Sequence, residues 1–135
     1  MKSDLVYNKI AIIERCIIRV KEVYEDDSKN LHNFTKQDSI ILNIQRACEA
    51  SIDLAMHIVS QKNLGIPKSS REAFELLNNN DLIDASIYKS MGAMIGFRNI
   101  AVHDYQSLNI QILQVIIEEH LEDFKKYTKQ IIKIV

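Results

Sequence analysis

The chain has no tryptophan, one proline, three glycines and two cysteines in 135 residues, and a formal charge of -1. Each shortage removes a class of answer. Sandwiches and barrels of many short strands need glycine and proline at their turns, so their scarcity points to long helices with brief joins. Cys16 and Cys48 show none of the paired spacings of zinc or redox chemistry, and both sit in amphipathic stretches. They read as small buried core residues in a reducing compartment. The near balance of 17 basic and 18 acidic residues provides no global field for nucleic acid, so any RNA contact has to be local. No run approaches the roughly 20 apolar residues of a membrane span, and Met1-Lys2-Ser3-Asp4 leads into an amphipathic stretch instead of a signal-peptide core. The expectation is a soluble cytoplasmic protein.

What is present is a core's worth of apolar residues, 47% hydrophobic against 26% charged, in a length that suits one domain over residues 1–135. Val6, Ile10, Ile13, Ile17, Val20 and Tyr24 recur at three and four, predicting a helix from about Ser3 to Asp27. The polar stretch from Asp26 to Asn33 loses the period and reads as a loop. A second helix is predicted from Asp38, a good N-cap, to Gln61, where Gly65-Ile66-Pro67 ends the run. Ser69 with Glu72 fits a capping box for a short helix stopped by Asn78-Asn79-Asn80. A fourth helix opens around Asp81 to Asp84, and Asp104 to Leu108 reads as a turn. Asn109 caps a last helix whose Ile110, Leu113, Ile117, His120, Phe124, Tyr127 and Ile131 form an apolar seam. The sum is an all-α antiparallel bundle of four longer helices and one short one, with the glycine face of the fourth helix and the long final seam available for a homodimer.

The chemistry concentrates in Gly96-Phe97-Arg98-Asn99-Ile100-Ala101-Val102-His103-Asp104-Tyr105. Gly92, Gly96, Asn99 and His103 share one helical face. The two glycines, each costing about 0.5 to 1 kcal/mol in a helix interior, suggest close approach by another backbone. Cleavage of RNA through its own 2'-hydroxyl needs a proton carrier near neutral pH and a cation where charge grows on phosphorus oxygens. His103 suits the first task and Arg98 the second. Asn99 is placed to orient the imidazole or to bind a substrate oxygen, and no metal is required. Five residues on a regular helix separate Arg98 from His103 by about 140°. Either the helix frays before His103, or a second subunit completes the site. An arginine and a histidine at a helix C-terminus also complement the dipole and cap carbonyls, and spacing alone favours that structural role.

Other candidates are weaker. His120 in the seam reads as a hydrogen-bonded structural residue, His57 as a ring oriented by Asp53 four residues before it, and His32 as solvated. Paired Glu-x-x-His segments, HExxH, glycine-rich phosphate loops and GxSxG are absent. Lys125, Lys126, Lys129 and Lys133 read as a solvated helix end, with a weak RNA-backbone contact as the sharper alternative.

The run Arg98-Asn99-Ile100-Ala101-Val102-His103-Asp104-Tyr105 resembles the Arg, four residues, His, one residue, Tyr motif of HepT-like toxins in the HEPN superfamily of helical ribonucleases. Asn43 to Ala50, Ser70 to Leu77 and Met94 to Phe97 resemble the same subfamily, so the likeness covers most of the chain. It implies a homodimeric toxin of a type II-like or type VII toxin–antitoxin pair, a metal-independent endoribonuclease without a cofactor. Its two motifs would face each other across the dimer, with Arg98 and His103 catalytic and Asn99 supporting them. It also implies a partner, an MNT-type nucleotidyltransferase antitoxin that transfers AMP from ATP to Tyr105. Adenylylation would put bulk and negative charge beside Arg98. A tyrosine that merely packs the turn is the structural alternative for Tyr105. A non-catalytic HEPN-like module that binds nucleotide or partners a nucleotidyltransferase is the competing function.

Overall fold

The computed structural model describes residues 2–135, with side chains from Asp4 onward. Six α-helices are joined by short connections: α1 (Lys2–Tyr24), α2 (Phe34–Gln61), α3 (Ser70–Asn79), α4 (Ala85–His103), α5 (Ile110–Val115) and α6 (Leu121–Ile132). A π-helical segment, Ile116–His120, makes α5 and α6 one continuous rod. The all-α bundle of four long helices and one short one is as expected from the pattern.

Helix α2, about 42 Å long at 1.5 Å per residue, is the axis of the bundle. It packs along α1 and also against α3 and α4, while α6 closes the bundle against α1 and α4. Tyr127 of α6 is fully buried at the centre. Its hydroxyl donates to the Ser51 carbonyl of α2 at 2.8 Å, and its ring meets Phe74 of α3 edge-on at 5.5 Å. That arrangement satisfies the one polar atom of a large buried side chain while fixing three helices against each other.

The helix ends differ from the sequence pattern where side chains outcompete the period. Helix α1 stops at Tyr24 because Glu25 and Asp26 turn into the left-handed region at φ 53° and 51°. The stretch read as a polar loop contains a 3-10 turn, Ser28–His32, whose Leu31 is completely buried. Helix α2 begins four residues earlier than expected. Asn33, not Asp38, is its N-cap and accepts from the Lys36 amide at 3.1 Å. Ser69 caps α3 and Asn109 caps α5 as expected, and Asp84 caps α4.

The final seam is corrected by the π segment. A wide turn inserts one extra residue, so after Ile117 the buried position falls on Leu121 instead of His120. The seam then continues through Phe124, Tyr127 and Ile131, all buried within the chain. It is therefore consumed by the bundle and is not available for self-association. Glu118 in the π segment accepts the Tyr24 hydroxyl, tying it to the end of α1.

Both cysteines are free and buried, and burial pushes the Cys48 thiol up to about 12. No helix among the described residues is long and apolar enough to cross a membrane. Truncating Phe74 to alanine should cost about 3 to 5 kcal/mol, read as a lower urea midpoint with unchanged slope. A loss below about 1 kcal/mol would mean that the Phe74 and Tyr127 pair does not anchor the core.

Candidate functional site

Helix α4 carries the motif and stays regular to its end. The Asp104 amide still bonds to the Ile100 carbonyl at 2.8 Å, a helical i to i−4 bond spanning His103. Of the two ways to reconcile Arg98 with His103, fraying is thereby removed. Their side chains leave the helix about 140° apart.

Arg98 is half-buried between α4 and the start of α3, where a terminal guanidinium nitrogen donates to Ser70 Oγ at 3.4 Å. Its Nε is buried without a hydrogen-bond partner. A buried, unpartnered N–H on a charged group is costly. His103, the last residue of α4, and Asn99, one turn before it, are exposed. Among the described residues neither side chain hydrogen-bonds to the other or to any neighbour. Asn99 therefore does not orient the imidazole within this chain.

Tyr105 opens a 3-10 turn, Tyr105–Ser107, just past α4. Its hydroxyl donates to Asp38 Oδ1 on α2. Partial burial, that acceptor and its negative charge push the phenol up to about 12. Asp38 is thus not a cap but the anchor of the turn that follows the motif. Sequence spacing had no way to reveal a pairing between positions 67 apart.

The glycine face divides in two. A Cβ on Gly92 would lie 2.8 Å from a guanidinium nitrogen of Arg71, so this glycine admits a side chain of α3, not a partner backbone. Gly96 has nothing within 4 Å of its notional Cβ. It opens on a cleft of about 750 Å³ between α4 and α5, lined by Ala93, Phe97, Ile100, Ile112 and Val115. Ile100, Ile112 and Val115 are each more than 40% exposed, an apolar face left uncovered by the chain itself. Gly96 and His103 are seven residues apart, so this face continues in phase to His103.

Outside the motif the histidines stay structural or solvated. His120 bonds to Asp123 at 2.9 Å at the rim of the same cleft. Asp53 pairs with Lys9 at 3.1 Å and not with His57, because α1 brings a cation across the groove. His32 is exposed at the end of its 3-10 turn. Among the described residues no three His, Cys, Asp or Glu side chains are grouped to hold a metal ion.

With this geometry in place, the family profile for ribonuclease HepT-like proteins matches residues 13–131. The chain belongs to the HepT-like family. It is 52% identical over 125 residues to the mRNA nuclease HepT of Shewanella oneidensis, a match covering 93% of this chain and 94% of that protein. It is 25% identical over 129 residues to the tRNA nuclease HepT of Aphanizomenon flos-aquae, over 94% of this chain and 87% of that one. The tri-AMPylated Shewanella oneidensis HEPN toxin, solved in complex with its MNT antitoxin, superposes with a TM-score of 0.92 at 51% identity, over 98% of both chains. A toxin–antitoxin complex with AMP-PNP gives 0.92 at 50% identity, over 98% of this chain and 99% of that one. HepT-like membership makes this chain one of a nuclease family with a HEPN fold.

The bond between Tyr105 and Asp38 has a titratable consequence. A phenol whose pKa is raised above the unfolded value of 10 contributes stability that is complete below pH 10 and lost as pH rises through about 12. The ultraviolet difference titration of the native protein against Tyr105→Phe should accordingly show a phenolate midpoint near 12. Asp38→Asn should lower that midpoint towards 10, since it removes the negative charge beside the phenol. An unmoved midpoint would show that Asp38 does not hold Tyr105 in solution.

Proposed function

We propose that this chain is the endoribonuclease toxin of a toxin–antitoxin pair, one HEPN-like domain over residues 1–135 that acts as a homodimer. The observation that carries the reading is the regular end of α4. It leaves His103 exposed and unpartnered at the head of an uncovered apolar face while Arg98 is held on another side of the helix.

A second copy seated on that face by a two-fold axis brings its own Asn99 and His103 to the same place. The 2'-hydroxyl attacks the adjacent phosphorus; one imidazole takes the hydroxyl proton and the other returns a proton to the departing 5'-oxygen. The 2'-oxygen to phosphorus bond forms as the phosphorus to 5'-oxygen bond breaks, leaving a cyclic phosphate and a 5'-hydroxyl. Arg98 stabilises the charge on the non-bridging oxygens, and Asn99 holds a substrate oxygen. None of these steps calls on a metal ion. The half-buried Arg98 guanidinium supports this assignment, since among the described residues it has no carboxylate partner and a single long hydrogen bond, 3.4 Å to Ser70 Oγ.

The same reading makes Tyr105 the acceptor of AMP from an MNT-type nucleotidyltransferase antitoxin. The phenol oxygen bonds to the α-phosphorus of ATP, the bond to the β-phosphate breaks, and pyrophosphate leaves as the phenol proton is lost. That proton already points at Asp38. What supports the partner is the likeness to a tri-AMPylated toxin solved with its MNT antitoxin. Adenylylation two residues beyond His103 places a phosphodiester where substrate phosphate has to pass.

The purified protein should cut total RNA in excess EDTA and leave 2',3'-cyclic ends, and His103→Ala and Arg98→Ala should each lose at least about a hundredfold in rate while remaining folded dimers. Cutting that persists in His103→Ala, or stops with EDTA, would overturn the mechanism. Tyr105→Phe should stay toxic in the presence of an active antitoxin and gain no mass from ATP; full protection of that variant would remove Tyr105 as the acceptor.

A further inference from the structure

The reaction at Arg98 and His103 makes no use of a concentration of positive charge in the groove between α1 and α2. Arg15 and Arg19 stand one turn apart on α1, and Arg46 joins them from α2, around a cleft of about 650 Å³ that Ile12 and Leu42 also line. All three arginines are exposed, and among the described residues none is paired with a carboxylate. Like charges four apart on a helix are unfavourable, and a third across the groove adds to the cost. The chain has a net charge of -1, and Glu22 lies three residues from Arg19, so counter-charges are at hand but not engaged. A trio kept unneutralised in a concave site is arranged for an anion from outside.

The position of the cleft says which anion. Asp38 lies on its wall, and the Asp38 carboxylate accepts the hydroxyl of Tyr105, two residues beyond His103. Cationic cleft and reactive end of α4 are therefore joined by one hydrogen bond. Guanidinium groups fork onto phosphate oxygens and stack on bases. Arg15 and Arg19 are about 6 Å apart along the α1 axis, a spacing that lets each take a different phosphate of one strand. Ile12 and Leu42 between them supply apolar surface for a base, and the concave shape suits a strand better than the face of a folded protein.

We infer that the α1 and α2 cleft binds the phosphodiester backbone of the RNA strand flanking the scissile bond, with Arg15, Arg19 and Arg46 each engaging a phosphate. The inference rests on the nuclease reading above. It supplies the local field that a chain of near-neutral charge needs in order to hold RNA. Asp38 on the wall repels phosphate, so within the cleft the strand is held on the arginine side.

The test uses fluorescein-labelled single-stranded RNA and fluorescence anisotropy, in a His103→Ala background that prevents cutting. Adding Arg15→Ala, Arg19→Ala and Arg46→Ala together should weaken binding by about tenfold or more and flatten the plot of log affinity against log salt by about 2, near 0.7 for each phosphate no longer neutralised. Replacing Lys125, Lys126 and Lys129 with alanine removes the same charge from α6 and should change neither quantity. Arg15→Lys, Arg19→Lys and Arg46→Lys together should keep the salt slope and recover part of the affinity. Equal losses in the lysine-to-alanine protein would assign the effect to overall charge and overturn the cleft. Unchanged RNA binding in the arginine-to-alanine protein, including a case where it loses the antitoxin instead, would also overturn it. Cleavage of total RNA by the unmodified chain separates the two readings: if that chain cuts and the arginine-to-alanine protein binds RNA normally, the cleft falls and the nuclease stands. If the unmodified chain neither cuts nor binds RNA, both fall.

Discussion

The site depends on one constraint, the unbroken helical hydrogen bonding at the end of α4. Because the Asp104 amide still reaches the Ile100 carbonyl, Arg98 and His103 keep the angular separation of a regular helix. Arg98 is thereby committed to the α3 side, where Ser70 receives it, and His103 to the open side. A fraying helix would let both side chains fold towards one point. A rigid one divides them between two surfaces, so the two side chains do not meet at one point within one chain.

That rigidity is supported from outside the helix. Asp84 accepts the Ile87 amide at 2.8 Å and is clasped by Gln130, which donates to its side chain at 2.7 Å and accepts its amide at 3.0 Å. The start of α4 is thus fixed to α6. Its far end is fixed differently, since the turn after His103 is held by the Tyr105 hydroxyl on Asp38 of α2. A phenol carrying an adenylyl group has no proton to donate, and its phosphate would face a carboxylate. Modification therefore has to release the tether as well as add bulk, so the residue read as the acceptor also sets where the turn lies.

The fold was legible because its signals are local. Capping by Ser69 and Asn109 and the three-and-four period of α1 are decided within one or two turns. The failures have equally definite causes. Asp38 looked like a cap because aspartate is a good one, but Asn33 stood earlier and took the position, freeing Asp38 to face a turn 67 residues away. His120 fell in the apolar period of the sequence; one extra residue in the π segment moved Leu121 into its place. Neither a long-range acceptor nor a wide turn leaves a periodic trace. In the site, the motif residues were readable as types and spacing, whereas Ser70, Asp38 and the arginine cleft became visible only when separate helices were brought together.

Charge shows the same division between sum and arrangement. A total of -1 argues against nucleic acid as a partner only if the charges are evenly spread. Here three of the acidic residues are engaged away from the arginines: Glu122 pairs with Lys21 at 3.4 Å, Asp53 with Lys9, and Glu118 accepts the Tyr24 hydroxyl. Arg15, Arg19 and Arg46 are left without such partners around one cleft. Screening confines their field to about 10 Å at ordinary ionic strength, so a neutral chain can still hold a phosphate strand where the arginines lie and repel it elsewhere. Near-neutrality would then be a source of selectivity under the proposed reading, because a chain without a global positive field has little attraction for RNA outside the cleft.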